Sequence, residues 1–352
     1  MSNDFFKAKK EDGKEISQLL ESYAGNGLVV ISYTRRPDAF ESYMKESGEP
    51  YIYVQKDNNQ IIQTCSMLVR KTYLSGEIKK TGYICGLKKN PNYAGYAINT
   101  LKLFNCFDDA NLDLTYCCVL KNNDSFRSMI EKNRKILSVN KITEFKTFVF
   151  NPKQKIKAPK NQFTFRQATI NDYDNLIAYL NEEGKKKDLF PVIESLEQFY
   201  NLKIEDFYLL LDEDKIICAA ALWDVSSYKQ YTIKKYNWFM KLLRVFNPLL
   251  SLLRYIKIPK ENTSIVFPFI SFLVCKDDNL DYYQIFLKEI SKRASLKYDL
   301  VGIAVAKNHF AFKYMNKLKK IDFESILYQL TFNNHQKDLK VKDNVFTENA
   351  LL

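Results

Sequence analysis

The sequence predicts an α/β protein with two domains in tandem, and three observations carry that prediction. At 352 residues the chain is too long for one small domain and comfortable for two. Strand and helix patterns alternate along it, and the alternation restarts near residue 163. Between the two series lies Asn151-Pro-Lys-Gln-Lys-Ile-Lys-Ala-Pro-Lys-Asn-Gln162, polar, basic and bracketed by prolines, as linkers are. Domains are therefore expected at 1–150 and 163–335, joined by 151–162 and followed by a polar C-terminal tail at 336–352.

In the first half, residues 13–24 place Ile16, Leu19, Leu20 and Tyr23 on one helical face, and 37–45 reads as a second, shorter helix. Strands follow at 51–55 and 61–71, with Lys56-Asp57-Asn58-Asn59 turning between them. Residues 112–120 read as a strand carrying Cys117 and Cys118, 125–135 as a helix capped by Lys121-Asn122-Asn123-Asp124, and 144–150 as a strand.

The stretch 82–104 organises this half. Tyr83, Ile84 and Cys85 favour extended backbone, Pro91 ends the strand, and Ile98, Leu101 and Phe104 recur at helical spacing after Gly95 and Ala97. A strand thus points at a helix N-terminus, where the free amides of Tyr93 to Ala97 and the helix dipole suit a phosphate. Gly95 and Ala97 are small enough to let it lie against the backbone. An ordinary βα turn has the same pattern.

Together with Thr34-Arg35-Arg36-Pro37-Asp38-Ala39-Phe40, the strand pair 51–54 and 61–69 and the hairpin Tyr73-Leu74-Ser75-Gly76-Glu77, this stretch resembles an acetyltransferase domain of the GNAT superfamily. The resemblance implies a mixed, mainly antiparallel central sheet flanked by helices. It also implies that Asn92, Tyr93, Ala94, Gly95, Tyr96 and Ala97 hold the pyrophosphate of acetyl-CoA as co-substrate. Asn92 stands where the family has Gln or Arg, and Ala94 where Arg is common. By the same resemblance the amides of Cys85, Gly86 and Leu87 line the thioester and Asn122 or Asn123 bonds the pantetheine, helix capping being the other reading of that pair. Tyr83 is the first candidate for general base, with packing in the strand as its alternative, and Glu77 is a weaker one.

The second half follows the same order: a strand at 163–166, a helix after Asp174, a hairpin at 207–211 and 215–225, strands at 264–274, 299–306 and 323–332, and helices at 280–297 and 310–319. It too resembles GNAT, in a degenerate form. Cys275-Lys-Asp-Asp-Asn-Leu280 sets two carboxylates where a pyrophosphate would sit, and like charges repel. Asn308, Ala311 and Tyr314 match the family's closing segment, with Tyr314 read as structural in the absence of an adjoining CoA site.

Residues 235–258 form an insert rich in Leu and aromatics with interspersed cations, which Pro248 divides into two short helices. Lys241, Arg244, Arg254 and Pro248 argue against a membrane span of roughly 20 nearly uncharged residues. Packing between domains or in a homodimer, peripheral contact with an anionic membrane, and a lid over the acceptor cleft all stay open.

With 46% hydrophobic and 14% aromatic residues the chain can bury a sizeable core. Seven cysteines without a CxxC pair read as buried free thiols in a reducing cytoplasm, and the first ten residues have no apolar signal core. Two histidines, His309 and His335, argue against a His-rich metal site and against triad chemistry, so no metal is expected. The net charge of +12 suits polyanions, but the lysines are scattered rather than gathered, and DNA is not an expected partner. The function expected is transfer of an acetyl group from acetyl-CoA to a small amine. A Fem-type aminoacyl-tRNA-dependent transferase and a non-catalytic acyl-CoA-binding scaffold are the alternatives.

Overall fold

The computed structural model describes residues 4–22, 29–93, 100–132, 137–252, 258–332, 340–342 and 344–352. The first half runs β1 (Phe6–Lys7), α1 (Gly13–Glu21), β2 (Val29–Arg35), α2 (Ala39–Lys45), β3 (Glu49–Asp57), β4 (Gln60–Leu74), β5 (Glu77–Lys89), α3 (Thr100–Asn105), β6 (Leu114–Leu120), α4 (Asp124–Lys132) and β7 (Leu137–Phe150). The second runs β8 (Thr164–Gln167), α5 (Tyr173–Gly184), β9 (Phe207–Asp212), β10 (Lys215–Trp223), β11 (Lys229–Tyr236), α6 (Trp238–Val245), α7 (Asn247–Leu252), β12 (Thr263–Ile265), β13 (Phe269–Cys275), α8 (Leu280–Ala294), β14 (Val301–Ala306), α9 (Phe312–Met315) and β15 (Lys320–Phe332).

Local chemistry sets the hairpins. Asn58 and Asn59, with φ of 47° and 64°, join β3 to β4, and Ser75 and Gly76, at 54° and 84°, join β4 to β5. Two successive left-handed residues give a turn whose twist matches the strands, and Asn and Gly tolerate it best. β4 is buried on both faces, so its apolar residues run on without alternation. Leu68 packs with Ile16, Leu19 and Tyr43 from α1 and α2, while Met67 and Val69 face Leu103 and Phe107. The second half repeats the layering, with Leu176 and Leu180 of α5 against Leu209 and Leu211, and Phe286 and Ile290 of α8 against Leu210 and Cys218.

Among the described residues, all strands but three join one 12-stranded sheet, in the order β1-β3-β4-β5-β6-β15-β7-β14-β13-β10-β9-β8. The last strand of the second half, β15, enters the first half between β6 and β7, and β7 in turn pairs with β14. Each half completes its sheet with the other's final strand. A second sheet, β12-β11-β2, crosses between the halves and places Lys229 opposite Arg35.

Three features depart from the sequence reading. The crossing sheet was not foreseen, because β2 and β11 find each other only in the folded molecule. Cys218 and Cys275 are directly opposed on β10 and β13 and form a disulfide, which corrects the reading of these two as free thiols; Cys65, Cys85, Cys106, Cys117 and Cys118 are free. The polar tail folds inward, with Val345, Thr347, Glu348, Ala350 and Leu351 all buried. Of the readings open for the insert, packing between the halves is not made by Trp238, Leu242 and Val245, which are exposed. No described helix is long and apolar enough to cross a membrane.

The segment 151–162 has no regular structure but is held down. Gln154 exchanges two hydrogen bonds with the backbone of Lys319, Ile156 is buried, and the Tyr314 hydroxyl donates to the Lys157 carbonyl at 2.6 Å.

Candidate functional site

β5 and β6 pair in parallel from Thr81 opposite Leu114 to Ile84 opposite Cys117 and then part, although β5 continues to Lys89 and β6 to Leu120. At the same place the register of β5 against β4 slips, Cys85 facing Ser66 but Lys88 facing Thr64. This is a β-bulge, a device that re-aims backbone groups beside functional sites. Its centre is Gly86, at φ +61°. A Cβ there would lie 2.1 Å from the Tyr43 hydroxyl and 3.6 Å from the Ser66 hydroxyl, so both polar groups stand against bare backbone at the opening.

A buried charged cluster surrounds this opening. Arg35, on β2, pairs with Glu46 at 2.5 Å with both side chains only 2% exposed. The same guanidinium donates to Ser42 Oγ and the Tyr33 hydroxyl and lies 3.6 Å from the centre of the Tyr43 ring. Burial raises the Glu46 pKa, but Arg35, with Lys229 behind it, more than reverses this and leaves the carboxyl below its usual value. Lys229 is buried too, and desolvation lowers its pKa against the pull of Glu46. Its ammonium donates to the carbonyls of Ala350 and Leu352, and Arg70 donates to that of Leu351 at 3.3 Å. Arg70 Nε and Nη2 have no hydrogen-bond partner among the described residues. Three cations thus converge on one deprotonated carboxylate and on the carbonyls of the tail.

The second half has the same construction. β13 and β14 pair in parallel only at Phe269 opposite Gly302, and the register of β13 slips beyond Ser271, next to Phe272 at φ +56°. Phe272 therefore stands where Gly86 stands in the first half. Here the opening is filled: Glu348 of the tail accepts from the Phe272 amide at 2.8 Å and from Ser271 Oγ at 3.0 Å. Val345, Phe346 and Glu348 of the tail line one cavity together with Ile270, Leu273 and Ile303 of β13 and β14.

Tyr83 is buried beside Tyr116, ring centres 5.3 Å apart, and burial raises its phenol well above 10. Glu77 is paired with Lys79 at 2.8 Å at the start of β5. Cys85, next to Gly86, is pushed up to about 11 by burial despite Arg35, so its thiol stays protonated. Leu87 follows on the same bulge. Asn92 and Tyr93 close a short 3-10 turn after β5, the Asn92 amide donating to Asn90 Oδ1 and the Tyr93 hydroxyl to Gln60 Oε1. Ala94, Gly95, Tyr96 and Ala97 lie outside the described residues.

Asn123 caps α4, accepting from the Phe126 amide at 3.0 Å, while Asn122 beside it is exposed. In the second half Asp278 pairs with Lys187, and Asp277 lies 3.6 Å from Lys186, so the two carboxylates of that turn are already engaged. The sequence reading missed Glu46, Arg70, Lys229 and Glu348. A signal existed for Arg70, which with Lys71 sets charge directly after the run 61–69.

No protein-family model and no curated protein matches the chain. Solved structures do. A GCN5-related N-acetyltransferase from Anabaena variabilis is 10% identical over 94% of this chain and 72% of its own, with a TM-score of 0.54. N-myristoyltransferase from Saccharomyces cerevisiae with bound myristoyl-CoA is 10% identical over 99% of this chain and 90% of its own, at 0.58. The same enzyme with myristoyl-CoA and inhibitors gives 0.59, at 10% identity over 98% and 86%. The fold is the GNAT fold in its doubled form.

Proposed function

We propose that the chain is an acyl-CoA-dependent N-acyltransferase that moves an acetyl group from acetyl-CoA to an amine. The observation that carries this reading is the opening between β5 and β6 at the Gly86 bulge, which frees backbone amides where a thioester carbonyl can lie. The division of labour follows from the two openings. The first half, residues 1–150 completed by β15, takes the acyl donor. The second half, 163–335, has its own opening closed by Glu348 and shapes the acceptor side.

In the reaction the neutral amine attacks the thioester carbonyl, a C–N bond forms and the C–S bond breaks. Amides of Cys85 to Leu87 stabilise the oxyanion, the amine gives up a proton to solvent, and the thiolate takes one up. The buried cations favour negative charge developing nearby. The turn 92–97 takes the pyrophosphate, and Asn122 lies within the pantetheine path of this reading.

Calorimetry with acetyl-CoA tests the proposal. One saturable site per chain is expected, with affinity at least tenfold weaker for Gly95→Glu, which sets a carboxylate against the phosphates. Absence of saturable binding, or equal binding by the variant, would remove the donor site from this turn.

A further inference from the structure

In the excursion between β11 and β12, α6 presents its apolar side outward. Asn237 caps α6 by accepting from the Met240 amide at 2.9 Å, and the Asn247 side chain clamps both backbone groups of Ile258 at 2.9 Å, so the base is pinned. On α6, Trp238, Leu242 and Val245 are 76%, 52% and 72% exposed, and Phe239 and Phe246 flank them at 43% and 51%. At 100° per residue these five fill one arc of about 120°. Met240, Leu243 and Arg244 are half-buried on the other side. A helix that packed on its own protein would be turned the other way.

Charge says what covers this face. From Val225 to Lys260 there is no Asp or Glu, while Lys234, Lys235, Lys241, Arg244 and Lys260 all fall within it. Lys241 lies beside the apolar arc and reaches Glu261 at 3.3 Å, and Lys234 is 3.7 Å from Glu21, so part of this charge is locally balanced. The remainder is positive. Aromatic and aliphatic side chains bordered by Lys and Arg, with Trp at the edge, match the boundary between acyl chains and anionic headgroups.

We infer that α6 lies in the plane of an anionic lipid surface, with Trp238, Leu242 and Val245 entering its acyl boundary. None of these side chains is among those assigned to the proposed donor site.

The molecule supplies its own probe. It has two tryptophans, and Trp223 is buried at 1% exposure, so a change in emission on adding vesicles reports Trp238. The full chain is titrated with phosphatidylcholine vesicles, with and without phosphatidylglycerol. The expected result is a blue shift with the anionic vesicles, partition at least tenfold stronger than to neutral ones, and loss of that preference in high salt. In Leu242→Glu/Val245→Glu the shift disappears while the unfolding temperature holds, since both side chains are exposed. No shift with either vesicle, equal partition to both, or equal binding by the variant would overturn the inference. So would a dimer in light scattering that the same variant converts to monomer, which would make the face an interface between copies.

Discussion

Gly86 is constrained both by its own backbone and by the side chain facing it. Its φ of +61° costs an L-residue about 1–2 kcal/mol, and a Cβ would also strike the Tyr43 hydroxyl at 2.1 Å. Gly86→Ala is therefore expected to destabilise the fold by about 2 kcal/mol or more in denaturant unfolding. Adding Tyr43→Phe should recover the steric part and leave the backbone part. Full stability of the single variant would refute the bulge. Cys85, Gly86 and Leu87 were legible through the GNAT resemblance of the stretch 82–104. The sequence did not name Tyr43, since α2 meets β5 only through tertiary packing. Nor did it show Phe272, whose left-handed backbone no side chain advertises. That conformation is held by Glu348 at its amide and by stacking with Phe207 and Trp223.

Among elements, strands joined by tight turns were the most legible, because Asn58-Asn59 and Ser75-Gly76 declare the hairpin locally. The crossing sheet and the buried tail were not, since their partners lie far away in sequence and polar residues such as Glu348 read as surface. The tail carries a pH signature. Burial pushes Glu348 up to about 7 from 4.5, against the pull of the Phe272 and Ala350 amides, Ser271 and Lys229. The folded tail thus prefers the protonated carboxyl. Its contribution is complete below about 4.5 and is lost as the pH rises through about 7. Between pH 5 and 8 the wild type should lose on the order of 3 kcal/mol more than Glu348→Gln. Parallel stability curves for the two proteins would show that Glu348 does not titrate there.

On the scale of the whole molecule, the exchange of β7 and β15 decides what can exist alone. The polar segment 151–162 marks where the patterns restart, and nothing in it announces that the sheet continues past it. Residues 1–150 made separately would leave β6 and β7 each without the neighbour that β15 provides. They should aggregate, whereas coexpression with 163–352 should return a soluble complex that elutes at the size of the intact chain. A soluble, monomeric first half with a cooperative unfolding transition would contradict this.

The same exchange sets a waiting time during synthesis. β7 is finished at Phe150, and β15 begins about 170 residues later, at Lys320. At ordinary elongation rates that is roughly ten to thirty seconds in which two long strand edges have emerged and their partner has not. A nascent chain in that interval is a target for chaperones or for its neighbours on the same message. A ribosome that stalls anywhere before β15 leaves a product whose first half lacks the strand that completes its sheet.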